Sequence, residues 1–342
     1  MKHSIIGCGR VAPNHVIGFK NCGIKVKWCC DLNLQRAKRF SEKYDIPNYT
    51  SDYNEILKDE SITSVSVCTD HASHSKIAID SLNFAKHVLV EKPMAINAKE
   101  ARLMIEKANS TRKLLSVIYQ NRFSKLIRKI KQDIDNELFG EITMVKAHLQ
   151  CSKEAEYYKN SNWRGTLKKE GGSTLINQGI HTLDLLLWIM GKPIYVVGIK
   201  SNIKFRDLID TEDSLAALLK FSNGAIGSFS STNTSTVGWE SYIEVVGTKG
   251  RICFTTCHPF KILKLDIQSE VKTHQYREEA DRITSSDSGE DLLFPSEIYY
   301  GVTHYYQIIN FINAINGREE LEIPGEEGYK TTEVIDAIYQ TK

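Results

Sequence analysis

The chain has 342 residues, 41% hydrophobic and 25% charged, with 44 Lys and Arg against 42 Asp and Glu for a formal net charge of +2. Such a length exceeds one ordinary core, so two domains are expected, and the balanced charge excludes a global field that would hold nucleic acid. The eight cysteines form no paired CxxC knuckles, so thiols rather than metal ligands or disulfides are expected, and no signal peptide or apolar run of about 18 residues is present, so a cytoplasmic protein without membrane attachment is expected.

The first third alternates short apolar runs with amphipathic stretches. Ser4–Ile6 reads as a strand, Ala12–Asn21 as a helix, Ile24–Cys30 as a strand and Leu34–Tyr44 as a helix. Thr63–Cys68, His87–Val90 and Lys113–Ile118 read as further strands, with helices over His74–Ala85 and Ala98–Asn109 between them. Strand–helix alternation implies a parallel sheet with helical crossovers. After Tyr119 the pattern changes. A helix over Lys125–Asp135 precedes a strand over Ile142–Leu149, a polar loop over Ser152–Gly172 and an apolar helix over Leu175–Met190. Alternating segments follow at Val196–Ile203, Ser214–Phe221, Ala225–Thr232, Tyr242–Gly247 and Arg251–Phe254. Asn223-Gly224 and Thr248-Lys249-Gly250 sit between pairs of these as hairpin turns. Residues 269–295, including Ser285-Ser286-Asp287-Ser288-Gly289, read as a polar loop. A helix over Tyr305–Ile315 and a short C-terminal helix complete the chain. The expected fold is α/β: a Rossmann parallel sheet over 1–120, then an α+β domain over 121–342 with a large, mostly antiparallel sheet.

Gly7-Cys8-Gly9-Arg10-Val11-Ala12 is a GxGxxA run placed directly after a strand and opening a helix. The first glycine permits the tight turn. The second lets backbone approach a pyrophosphate, and the small Ala12 lets helix pack on strand. The phosphate charge then sits at a helix N-terminus, where N–H groups point outward. Asp31 closes the second strand about 20 residues on, where an acid binds ribose hydroxyls and repels a 2′-phosphate. NAD is therefore the expected cofactor. Glu91-Lys92-Pro93 follows the fourth strand, at the carboxyl edge where parallel sheets bind ligands. An ammonium there can hydrogen-bond a substrate hydroxyl and stabilise its alkoxide.

These pieces, with Cys68-Thr69-Asp70-His71-Ala72-Ser73-His74, the run from Gly171 to Asp184, and Glu212-Asp213, resemble the Gfo/Idh/MocA oxidoreductase family in the same order. The resemblance implies cofactor contacts from Gly7, Gly9, Arg10, Val11, Ala12, Asp31, Thr69, His71, His74, Glu91, Lys92 and Asn121. It implies catalysis by Lys92 and His181, either of which can take the hydroxyl proton. Asn177 stands where the family usually carries Asp, and Asp70-His71 replaces the usual Pro-Asn. Gln120-Asn121-Arg122, Trp163-Arg164-Gly165-Thr166 and Asn177-Gln178-Gly179-Ile180-His181 are similar to the branch that acts on UDP-N-acetylglucosaminuronate. That resemblance implies oxidation of the sugar C3 hydroxyl to a ketone in surface polysaccharide synthesis. Arg122, Tyr158, Arg164, Asn177, Lys92 and His181 are the expected substrate contacts. Arg122 and Arg164 offer forked donors to pyrophosphate or carboxylate, and Tyr157, Tyr158 and Trp163 offer flat faces to uracil or sugar. A dehydrogenase of another sugar, such as an inositol, deoxysugar nucleotide or free hexose, and a non-catalytic NAD-binding sensor are the alternatives. An open antiparallel sheet with an apolar face invites a homodimer or homotetramer.

Overall fold

The computed structural model describes residues 1–285, 291–294, 297 and 301–341. The chain forms two compact units. Residues 1–120 and 289–329 make the first, and residues 121–288 and 330–342 the second.

The first unit is built on β1 (Lys2–Ile6), β2 (Lys25–Cys30), β3 (Asn48–Thr50), β4 (Ser64–Val67), β5 (His87–Val90) and β6 (Leu115–Val117). They form one sheet in the order β3-β2-β1-β4-β5-β6, and every pair is parallel. Ile5, Ile6, Val65, Val67 and Val88 to Val90 are all buried, as short apolar strands covered on both faces must be. The crossovers are α1 (Ala12–Asn21), α2 (Leu34–Lys43), α3 (Tyr53–Lys58), α4 (His71–Asn83) and α5 (Ala98–Thr111). The β3–α3 excursion was not anticipated, because β3 is three residues long and buries only Thr50.

The second unit begins with α6 (Lys125–Asp135), β7 (Ile142–Ser152) and α7 (Ala155–Lys159), then a π-helical turn over Thr174–Gly179 that runs into α8 (Ile180–Met190). There follow β8 (Tyr195–Ser201), β9 (Ser214–Lys220), β10 (Ile226–Thr232), β11 (Thr234–Gly247), β12 (Gly250–Thr255), β13 (Ile262–Ile267) and α9 (Glu270–Ser285). The seven strands order as β13-β12-β11-β7-β10-β9-β8. β10 and β7 are parallel and the remaining pairs antiparallel. Leu215, Ala217 and Leu219 point inward from β9, and α8 packs on β7 and β11. Leu218 turns the other way and is 61% exposed.

Two expectations are corrected. Residues 270–285 are helical rather than a loop. Only Tyr276 and Ala280 of α9 are buried, so no apolar periodicity announces it. Its anchors are polar: Tyr276 Oη donates to Asp133 on α6 (2.7 Å), and Lys129 of α6 reaches Glu279 (3.2 Å). The run 286–290 lies outside the described residues. In addition, the last helices are longer and differently placed than expected. α10 (Thr303–Ile315) belongs to the first unit and α11 (Gly325–Gln340) begins there. Ile308 and Phe311 of α10 pack with Val16 and Phe19 of α1. A Cβ on Gly18 would meet Ile308 Cδ1 at 2.4 Å, so a larger residue there would need the tip of the Ile308 side chain to shift.

No described helix is long and apolar enough to cross a membrane.

Candidate active site

The glycine turn closes β1 with little freedom. Gly7 has φ +97°, and a Cβ there would lie 2.4 Å from the Cys68 carbonyl oxygen at the end of β4. Gly7 N–H donates to Cys30 O at the end of β2 (2.7 Å), so the turn is pinned between both neighbours. Val11, at the N-cap of α1, supplies no side-chain cap. Pro13 in the first turn carries no N–H and Asn14 N–H donates to Val11 O (3.0 Å), so a ligand meets the turn that precedes the helix, beside exposed Gly9 and Arg10. Asp31 Oδ2 accepts from Cys8 N–H (3.2 Å) and Oδ1 from Asn33 N–H (2.9 Å), which fixes the carboxylate at the rim of the turn. Arg36 Nη1 lies 3.3 Å from both oxygens, a partner the residue pattern did not reveal. A helix start without a side-chain cap, a glycine where a side chain would clash, and an oriented acid fit an adenine dinucleotide.

Lys92 is partly buried and its turn is tethered on both sides. On one side Glu91 is 5% exposed. Its Oε1 accepts from His15 Nε2 (3.0 Å), with His304 Nε2 at 3.5 Å, and its Oε2 accepts from Lys92 N–H (3.3 Å). His15 continues through Ser66 Oγ (2.8 Å) to His3 (2.9 Å) and Ser64 (2.8 Å). Burial alone raises the Glu91 pKa, but the two histidines outweigh it and hold the carboxyl well below its usual range. On the other side His74 Nδ1 donates to Pro93 O (2.8 Å), with Nε2 3.3 Å from Thr69 O. Burial lowers the His74 pKa, so its ring is neutral and carries one N–H, assigned to the shorter contact. The Thr69–His74 segment and the Lys92 turn thus form one piece, with buried His71 beside His74 (ring centroids 6.0 Å apart).

In the second unit the π-helical turn carries partly exposed Asn177, and His181, also partly exposed, is the second residue of α8. Glu212 caps the turn by accepting from Ser173 N–H (3.1 Å) and Leu175 N–H (3.1 Å). Its neighbour Asp213 accepts three backbone N–H groups, from Ile203, Lys204 and Phe205. Three expected contacts are otherwise engaged. Arg122, 5% exposed, spends its fork on Asp184: Nε to Oδ2 at 2.8 Å and Nη2 to Oδ1 at 2.6 Å. Asn121 donates to Thr256 O (2.7 Å). Tyr158 is buried with Phe205 and Ile209, its hydroxyl held by Ser173 (3.1 Å) and Asn233 (2.9 Å). Arg164 is partly buried, its guanidinium lying 4.5 Å over the Tyr157 ring and 4.8 Å over Trp163. Glu170, at the end of that loop, is 1% exposed and accepts from Gly165 N–H and Asn177 Nδ2. It reads as a solvated loop acid in the sequence, after Lys168-Lys169, and was not singled out.

Residues 1–119 match a family model described as "Oxidoreductase family, NAD-binding Rossmann fold", and residues 131–342 one described as "Oxidoreductase family, C-terminal alpha/beta domain". The WlbA dehydrogenase from Bordetella pertussis, solved in complex with NADH and UDP-GlcNAcA, superposes with a TM-score of 0.89 at 25% identity over 100% of this chain and 95% of that one. D-glucoside 3-dehydrogenase of Escherichia coli is 26% identical over 100% of this chain and 95% of its own length. Myo-inositol 2-dehydrogenase of Thermotoga maritima is 23% identical over 96% and 92%. The chain therefore belongs to the Gfo/Idh/MocA oxidoreductase family and is an NAD-dependent oxidoreductase.

Proposed function

We propose that this protein is an NAD-dependent dehydrogenase of sugars or polyols, and that its substrate is UDP-N-acetylglucosaminuronate, oxidised at the C3 hydroxyl to a ketone. The observation that carries the dehydrogenase reading is the tethered Lys92 turn at the end of β5, in the same unit as the uncapped N-terminus of α1. The nucleotide-sugar reading draws on the WlbA complex and on the Trp163–Thr166 loop.

In this reading residues 1–120 hold the cofactor, and the substrate is bound by Lys92 together with residues drawn from 121–342. The Gly7–Ala12 turn receives the pyrophosphate on N–H groups, and Asp31 accepts ribose hydroxyls. NAD, when bound, supplies the hydride acceptor. Lys92 Nζ hydrogen-bonds the substrate hydroxyl, stabilises developing alkoxide charge, and shares with His181 the task of accepting its proton. Glu91, His15 and His304 serve Lys92 by fixing its backbone. Arg164, partly buried and stacked on Tyr157, is the guanidinium offered to a uronate or pyrophosphate. Arg122 and Tyr158 act from behind as supports for α8 and the loop.

The protein also self-associates in this reading, through the outer face of the second unit's sheet, where Ile199 is 76% and Leu218 61% exposed.

The test is NADH absorbance on mixing purified protein with NAD+ and, separately, UDP-N-acetylglucosaminuronate, UDP-N-acetylglucosamine, myo-inositol and a simple glucoside. Turnover of the uronate well above the others is expected. Turnover of myo-inositol or the glucoside alone would replace the substrate by a free polyol or sugar, as the curated relatives favour. NAD binding without any turnover would favour a sensor.

A further inference from the structure

Asp31 reads in the sequence as an acid that repels a 2′-phosphate, yet its carboxylate is not a bare anion. Cys8 N–H donates to Oδ2 (3.2 Å) and Asn33 N–H to Oδ1 (2.9 Å), while Arg36 Nη1 lies 3.3 Å from both oxygens. The Asp31 side chain is 10% exposed and that of Arg36 55%. One guanidinium nitrogen thus straddles the carboxylate, at a distance beyond the roughly 2.7–2.9 Å of a strong charge-assisted bond, and the parallel fork that makes such pairs strong is not formed. An exposed pair of this geometry contributes little, so the guanidinium can exchange Asp31 for a better partner at small cost. The backbone beneath it is fixed. Asn33 is the N-cap of α2, and its Oδ1 accepts from Arg36 N–H (3.0 Å). Arg36 is therefore anchored in the first turn of α2, five residues from Asp31, and only its side chain has to move. The next cation on the helix, Lys38, faces Glu42 instead (4.0 Å). A phosphate is a better partner than the carboxylate, because it carries more negative charge and its oxygens match the guanidinium fork. Where Asp31 takes the ribose hydroxyls, a phosphate on the 2′ oxygen arrives beside Arg36.

We propose that Arg36 is a specificity-determining residue of the cofactor site: it leaves Asp31 to grip a 2′-phosphate, so that the protein accepts NADP as a second, weaker dinucleotide. With NAD the guanidinium stays on Asp31. Asp31 sets the preference for NAD, and Arg36 limits how far NADP falls behind. The inference rests on the placement of the ribose on Asp31 above and deepens it.

The test is titration of the full chain with NADH and with NADPH, read by the fluorescence of the bound dihydronicotinamide. Wild type is expected to bind NADPH within about 100-fold of NADH. Arg36→Gln is expected to widen the ratio of the two Kd values about tenfold, the loss of one charge-assisted contact. Because the Arg36 side chain is 55% exposed, its replacement leaves the packing of α2 untouched. Lys38→Gln, which removes the same charge two residues on, changes the ratio less than about twofold, since an exposed charge without direct contact is screened. On an Asp31→Asn background the ratio falls, and Arg36→Gln raises it again, because the phosphate contact no longer competes with a carboxylate. NADPH binding in wild type weaker than about 100-fold below NADH, an Arg36→Gln ratio equal to that of wild type, or a rise of equal size in Lys38→Gln would overturn the proposal. An NADH Kd unchanged in Asp31→Asn would instead remove Asp31 from the ribose site and defeat the placement on which the inference rests, which separates the two failures.

Discussion

Replacing Gly7 by Ala tests the cofactor turn where the geometry is tightest. The added Cβ would sit 2.4 Å from Cys68 O, 2.6 Å from Cys68 C and 2.9 Å from Thr69 N, all backbone atoms. Relief cannot come from a side-chain rotation. It needs β1 and β4 to part by about 1 Å, against the Cys68 N–H bond to Ile6 O (2.7 Å). The positive φ of +97° adds a conformational penalty, of about 1–3 kcal/mol. Overpacking against a fixed backbone adds about 1–3 kcal/mol more. The sum is about 2–6 kcal/mol, expressed as lost stability of the first unit or as a displaced turn. Urea unfolding followed by circular dichroism reads the first outcome, and NAD titration of the same sample reads the second. A variant that keeps both the wild-type midpoint and the wild-type NAD affinity would refute the idea that this turn is built for backbone-close binding.

Three further outcomes follow from the same geometry. Asp31→Ala should weaken NAD by about 10- to 100-fold and, by releasing Arg36 from its 3.3 Å contact, narrow the gap between NAD and NADP; titration with both dinucleotides reads this, and an unchanged ratio removes Asp31 from the ribose site. Glu91 is held below its ordinary value of 4.5, so its ionised form stabilises the fold above that value and the contribution disappears as pH falls through the depressed pKa. Glu91→Gln should therefore lower Tm near neutrality and flatten the acid limb of a Tm–pH profile, and a profile parallel to wild type would exclude the ionic tether. Leu218→Glu should leave the far-ultraviolet spectrum intact while reducing the light-scattering mass to that of one chain; a wild type already at that mass would dismiss the sheet face as an interface.

The periodic parts of the fold were legible residue by residue. The helices over Ala12–Asn21 and Lys125–Asp135 and the strand over His87–Val90 stand where apolar spacing puts them. What periodicity could not show is polar burial. His15 sits in α1 among apolar neighbours, and its partners Glu91 and Ser66 lie far along the chain, 76 and 51 residues away. Glu170 follows two lysines in a polar loop, and only its burial distinguishes it from a solvated acid. Arg122 has the residue type an anion site wants, yet Asp184, 62 positions on, takes its fork. Residues 270–285 look like a loop because a helix held by Tyr276, Ala280 and ion pairs has no apolar stripe to reveal it. His15, Arg122 and Tyr276 have partners remote in sequence, information that local patterns do not contain, whereas Glu170 has partners five and seven residues away and is hidden by its burial alone.

In the proposed reaction Lys92 drives oxidation of a hydroxyl without holding the cofactor in place. Single-turnover absorbance at 340 nm with Lys92→Met, alongside NAD titration of the same preparation, tests it most directly. The expected result is an NAD Kd within about threefold of wild type and a loss of at least about 10³ in NADH formation, within the range of lost acid–base and electrostatic assistance. Undiminished NADH formation, or loss of NAD binding and turnover together, would contradict it.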